Sequence, residues 1–187
     1  MTLENSTLLH ARYRIVECLA HGGMGSVYSA MDENLGLVVA VKENLFTTEE
    51  YSRQLRLEAI ILANLRHPNL PRVSDHFTIA DQGQYLVMDF IEGEDLRERM
   101  ERVGPLSEDD VIVIGAAICD ALTYLHTRTP PILHRDIKPG NMPGPGNQQM
   151  LWLEYILEQP LDPGVQSGQL RHNDTDAHAF CSITLLR

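Results

Sequence analysis

Between Tyr13 and about Asp89 the apolar residues come in short β-branched runs, "YRIVECLA", "GSVYSAMD" and "LVVAVKEN", separated by Gly or by Asp-Glu-Asn. Runs of this length and composition predict strands, and three in sequence predict an antiparallel meander. The period then changes. In "TTEEYSRQLRLEAIILANLRH" the residues Leu55, Ile61, Leu62 and Leu65 recur at helical spacing, with Thr47 or Thr48 as N-cap, acids in the first turn and Pro68 just past the end. Strand character returns in "RVSDHFTIADQGQYLVMDFI", where Asp81-Gln82-Gly83 predicts the hairpin turn and Gln84 to Asp89 the outgoing strand. Beyond Glu92 the pattern is helical, first "DLRERMERV", then "LSEDDVIVIGAAICDALTYLHT". Ser107 with Asp110 gives the longer helix a start resembling a capping box. Val111, Ile114, Ile118, Leu122 and Leu125 form one apolar stripe along it, which requires a covering surface. From Met142 onward the text is rich in Pro and Gly, then mixed, with "MLWLEYIL" as its apolar run. No internal repeat is present.

Composition narrows the class without naming a chemistry. The chain has 187 residues, 43% of them hydrophobic, which suits one globular domain, or one domain and a fragment. Fifteen basic against 26 acidic residues give a net charge of -11, which argues against a general nucleic-acid or anionic-membrane surface. Cys18, Cys119 and Cys181 are odd in number and far apart, and they read as reduced cytosolic thiols. The N-terminus lacks a basic start followed by an apolar stretch, and no run approaches the roughly 18 apolar residues that span a bilayer. A cytoplasmic protein is the expectation.

Three stretches carry candidate chemistry. In "LAHGGMGSVY", Gly22 and Gly25 let backbone N–H groups approach phosphate oxygens with no Cβ in the way, and Val27 offers an apolar lid for a base. A Gly-rich hairpin is by itself equally a plain turn. In "VAVKEN", Lys42 is either an edge-strand lysine in water or a cation aimed inward at phosphate. Glu58, in the following helix beside Leu55 and Ile61, is the acid that would hold it there, because a carboxylate on a packed face requires a partner. The third stretch, "HRDIKPGN", is the most specific. Asp136 is placed to accept a hydroxyl proton, Lys138 to neutralise charge on a transferring phosphoryl group, and Asn141 to offer an amide oxygen to Mg2+. The alternative for this stretch is a polar turn after a helix.

Taken together, "GGMGSVY", "EGEDL" and "HRDIKPGN" make residues 13–141 resemble the serine/threonine protein kinases of the eukaryotic-like type, especially those of bacteria. The resemblance implies an α+β fold: a β-rich small lobe with one helix over 13–91, then an incomplete helical large lobe over 92–141. Residues 1–12 are an N-terminal extension. The resemblance also implies ATP and Mg2+, with Leu19, Ala20, Gly22, Gly23, Gly25 and Val27 over the nucleotide, Ala40 among the residues that bind it, and Lys42 on the α- and β-phosphates, paired with Glu58. Met88 lines the back of the adenine pocket, and a hinge from Asp89 to Ile91 receives adenine. Lys138 after "HRD" marks the serine/threonine subclass, so the implied substrate is a protein Ser or Thr.

Two departures from the family's pattern stand in the chain. Ala20 occupies the first Gly position of the Gly-rich loop, which costs only positive-φ freedom. More seriously, no "DFG" occurs anywhere. Glu154-Tyr155-Ile156 falls about where that metal-binding tripeptide is due; Glu154 is a candidate Mg2+ ligand, or "WLEYI" is an unrelated apolar run. His172, Asp174, Asp176 and His178 suggest a metal, or a solvated polar tail. Residues 142–187 thus read as a divergent or truncated segment, such as a frameshift near Met142 would produce. The resemblance implies a serine/threonine kinase impaired by the missing tripeptide. A pseudokinase-like nucleotide-binding or interaction module, whose exposed large-lobe helix docks on a partner protein, is an alternative, as is a non-functional fragment.

Overall fold

β-branched runs bounded by turns pair with their sequence neighbours, and five of the six strands in the computed structural model arise in this way. The structure describes residues 3–22, 25–45, 48–80, 82–134 and 137–144. Strand β1 is Leu8–Leu9, β2 Tyr13–Gly22, β3 Gly25–Asp32, β4 Leu37–Asn44, β5 Val73–Ile79 and β6 Gly83–Asp89. They form one antiparallel sheet in the order β1-β2-β3-β4-β6-β5. The β3–β4 turn is closed by Asp32, whose carboxylate accepts the N–H groups of Asn34 and Leu35 at 3.0 and 3.3 Å. The small β1, absent from the sequence pattern, joins the N-terminal residues to the sheet.

Helix α1, Glu49–Ala63, starts one residue after Thr48 and lies against the sheet through buried Ala59 and Leu62, leaving Leu57 and Ile60 exposed. After β6 the chain turns helical. In α2, Leu96–Val103, Asp95 and Glu98 form a reciprocal capping box, and Gly104 closes the end at φ 87°. In α3, Glu108–His126, the Ser107 side chain accepts the Asp110 N–H. Among the described residues no helix is long and apolar enough to cross a membrane.

The apolar stripe of α3 does not face solvent. Ile114 and Leu125 are buried, as is Ala121, while Ile118 and Leu122 pack beside them. The covering surface comes from Leu62, Leu65 and Leu70 of the small lobe together with Leu96, Ile132 and Met142, so residues on both sides of α3 along the chain cover the stripe. The exposed apolar residues of α3 are instead Ile112 and Val113, each 61% accessible. A second cluster, with Leu9, Tyr13, Ile15, Tyr28, Val41, Phe77, Tyr85 and Val87, occupies the other face of the sheet.

Candidate functional site

Strand register decides which side chains share a face, because alternate residues point the same way and paired residues stand side by side. Ala20 pairs with Val27, Val27 with Lys42, and Lys42 with Leu86, a row across four strands. Two residues along β4, Ala40 pairs with Met88. The face so built forms one wall of a cavity of about 380 Å³. That volume falls within the roughly 300–1,000 Å³ of small-molecule sites.

Leu19, Ala20 and Val27 line the cavity from the hairpin side, and Ala40, Lys42 and Met88 from the sheet. Asp89 and Ile91 border it where β6 leaves the sheet. The Asp89 carboxylate is fixed by the Arg72 N–H at 2.9 Å, and its own N–H donates to the Arg72 carbonyl at 3.0 Å. Lys42 is half-buried and also borders a small gap between α1 and the sheet, beside Leu55 and Ala59.

The opposite wall comes from the segment after α3. Pro139–Asn141 form a single 3-10 turn in which the Asn141 N–H donates to the Lys138 carbonyl at 2.9 Å. Asn141 is buried, Lys138 is exposed, and both line the cavity. The turn is held against the start of α2: the Leu96 N–H donates to the Met142 carbonyl at 2.8 Å, and the Gly144 N–H to the Glu94 carbonyl at 3.0 Å. Lys42 and Lys138 thus face one cavity from opposite walls, and its lining mixes three cations, Lys42, Arg97 and Lys138, with three carboxylates, Asp89, Asp95 and Glu98.

Gly22 and Gly25 pair with each other and close the hairpin. Gly25 has φ +152°, and a Cβ there would run into the Glu43 carbonyl, so only glycine fits. Glu58 lies within α1, and its side chain is outside the description, as are Gly23, Asp136, Glu154 and the tail holding His172 to His178. For Mg2+, the described residues supply the buried amide of Asn141, a hard oxygen donor of the type Mg2+ takes alongside water and phosphate oxygens. Among the described residues no three His, Cys, Asp or Glu side chains gather into a metal site.

Sequence reasoning missed several residues of the wall. Asp95, Arg97 and Glu98 from the start of α2 border the cavity, as do Pro71 and Gly140. The Asp-x-x-Glu spacing of Asp95 and Glu98 was a legible cap signal, but nothing in it pointed to a cavity. The Asp95 carboxylate accepts the Glu98 N–H at 2.8 Å and sits 3.7 Å from Arg97. Glu94, just before it, is held below the usual carboxylate range chiefly by its hydrogen bond from Arg102.

Comparison with known proteins agrees with this geometry. The family model described as "Protein kinase domain" matches residues 13–148. The chain is 36% identical over 138 residues to a probable serine/threonine-protein kinase of Clostridium perfringens, covering 72% of this chain and 20% of that protein. It is 33% identical over 171 residues to the serine/threonine-protein kinase PknA of Mycobacterium tuberculosis, covering 87% of this chain and 39% of PknA. The chain thus spans only a fifth to two fifths of these relatives. The crystal structure of the PknI kinase domain of Mycobacterium tuberculosis superposes with a TM-score of 0.67 at 27% identity, over 84% of this chain and 65% of that one.

Proposed function

The chain belongs to the protein kinase domain family, and on that premise we propose that it transfers the γ-phosphate of ATP to a serine or threonine hydroxyl of a protein. The observation that carries the reading is the pair of walls: Lys42 on one, Lys138 and Asn141 on the other, around a cavity of about 380 Å³. Residues 13–91 act as small lobe and hinge, 92–141 as the start of the large lobe, and 142–187 as a divergent segment.

Adenine lies against the wall formed by Val27, Ala40 and Met88, beside Leu19, with its edge toward Asp89 and Ile91. The small Ala40 leaves room for the ring, and apolar contacts suit its faces. Gly22, Gly23 and Gly25 cover the phosphates, Lys42 meets the α- and β-phosphates and Glu58 holds Lys42. Asp136 accepts the proton of the attacking hydroxyl, the oxygen bonds to the γ-phosphorus, and ADP departs with the electrons of the broken bond. Lys138 neutralises charge on the moving phosphoryl group. Asn141 and Glu154 would hold Mg2+, which when bound would further neutralise phosphate charge. Cys18 and Cys119, the cysteines among the described residues, are free thiols, which suits a cytoplasmic setting, where ATP is at hand.

Radiolabelled phosphate transfer to a Ser/Thr protein substrate tests the reading. The wild-type chain incorporates label, and Asp136→Asn lowers the rate by about 10² to 10³, the usual cost of removing one group that stabilises the transition state. Equal incorporation by both chains, or none by either, overturns it. Nucleotide binding without any incorporation would leave the pseudokinase-like module in its place.

A further inference from the structure

On the face of the sheet opposite the cavity lies a buried carboxylate that no part of the proposed reaction uses. Glu43 follows Lys42 on β4, so its side chain points to the opposite face. It is 3% exposed, and two fully buried tyrosines donate to it: Tyr28 of β3 to Oε2 at 3.1 Å and Tyr85 of β6 to Oε1 at 3.2 Å. The Tyr28 hydroxyl is fixed in turn, accepting the Leu3 N–H at 2.9 Å. Gly25 sits flush on the Glu43 carbonyl, which leaves no room for a Cβ. One residue therefore joins β3, β4 and β6 and touches the Gly-rich hairpin at its base. A buried carboxylate is costly unless hydrogen-bonded, and both acceptor oxygens here are used. Burial and the nearby Glu43 charge raise the Tyr85 phenol, as burial foremost does that of Tyr28, so both hydroxyls keep their protons to donate.

We propose that Glu43 is a positioning residue for the phosphate end of the cavity: gripped by Tyr28 and Tyr85, it fixes the depth and direction of Lys42 and the seat of the Gly-rich hairpin. The proposal rests on the nucleotide reading above. Adjacent strand residues share one backbone, so a carboxylate anchored on one face restrains the lysine on the other. Ala40 and Met88, two rows away, are fixed instead by the apolar cluster they belong to. Glu43 therefore governs phosphate recognition and leaves adenine recognition alone.

The test is the ratio of ATP to adenosine affinity, measured on the full chain by titration at fixed Mg2+. Glu43→Ala lowers ATP affinity about tenfold relative to adenosine, comparable to the loss of one hydrogen bond to a charged group. Glu43→Gln, which can still accept from one tyrosine and donate to the other, restores most of the preference. In a Lys42→Ala background Glu43→Ala changes the ratio no further, because the two act through one contact. Tyr85→Phe deletes a single hydroxyl and shifts the ratio the same way by a smaller factor, which keeps the test decisive if Glu43→Ala does not fold. Equal loss of both ligands, or an unchanged ratio in Tyr85→Phe and Glu43→Ala, overturns the assignment while leaving the nucleotide reading intact. A wild-type chain that binds neither ligand overturns the nucleotide reading, and the assignment falls with it.

Discussion

Arg12 grips Asp32 with two nitrogens, Nε to Oδ1 at 3.0 Å and Nη2 to Oδ2 at 2.7 Å, and the same carboxylate also closes the β3–β4 turn. Nearby, Asp75 takes the Tyr13 hydroxyl at 2.7 Å and lies 3.5 Å from Arg12. The Arg12 hydrogen bonds, foremost, hold the Asp32 carboxyl below its ordinary value of 3.8. A carboxyl depressed in the folded state adds stability that is fully present above its unfolded value and is lost as pH falls through its folded one. Asp32→Asn should therefore unfold more easily than wild type at neutral pH, and urea midpoints of the two chains should converge as pH drops below 3.8. A gap that stays constant with pH would show that the Asp32 charge contributes nothing. The sequence offered no warning of this arrangement. Asp32 reads there as turn punctuation and Arg12 as part of an extension, and partners 20 positions apart share no local period. Lys42, Lys138 and Asn141 were legible for the opposite reason: each sits inside a contiguous motif whose spacing reports chemistry.

The N-terminal segment makes the same point for whole elements. β1 is two residues long, too short for any alternation to show, yet it pairs with β2, and Ser6 and Thr7 exchange hydrogen bonds with Ile15. Leu9 is 2% exposed, and the His10 ring stacks on Phe77 at 4.6 Å, which in turn stacks on Tyr13 and Tyr85. These residues finish a core on the sheet face away from the cavity. Deleting residues 1–9 should lower the melting temperature, because burying one leucine is worth about 1.5 to 3 kcal/mol and each kcal/mol shifts a domain of this size by about 2 to 4 °C. An unchanged melt would mean the segment is not part of the sheet. Strands β2 to β6 were legible because β-branched runs met turn residues, and α2 and α3 because their caps are written in side chains. The covered face of α3 was only half legible. Ala121, one of its two fully buried positions, is a residue whose small side chain suits either face, and part of what covers the stripe lies more than forty residues earlier, in Leu62, Leu65 and Leu70.

At the scale of the molecule, the same apolar cluster joins the sheet to the helices and forms the back of the cavity. Ala40 and Met88 line the cavity, and they share that cluster with Leu62, Leu65 and Leu70 on one side and Ile114, Ala121 and Leu125 on the other. A cluster that spans both parts couples their stability, so neither should melt alone. Leu125 is fully buried within it. Leu125→Ala removes side-chain atoms and leaves a cavity, a change worth about 2 to 5 kcal/mol against a typical total of about 5 to 15 kcal/mol. The loss should appear together in far-UV circular dichroism, which follows the helices, and in near-UV circular dichroism from the buried Tyr13, Tyr28 and Tyr85 of the sheet. ATP at a hundredfold excess over its dissociation constant should return about 2.7 kcal/mol by mass action, raising both signals in step. Two separated transitions in Leu125→Ala, or an ATP shift confined to one signal, would show that the sheet and helices are stabilised independently, and would cut the link between the ligand's cavity and the core behind it.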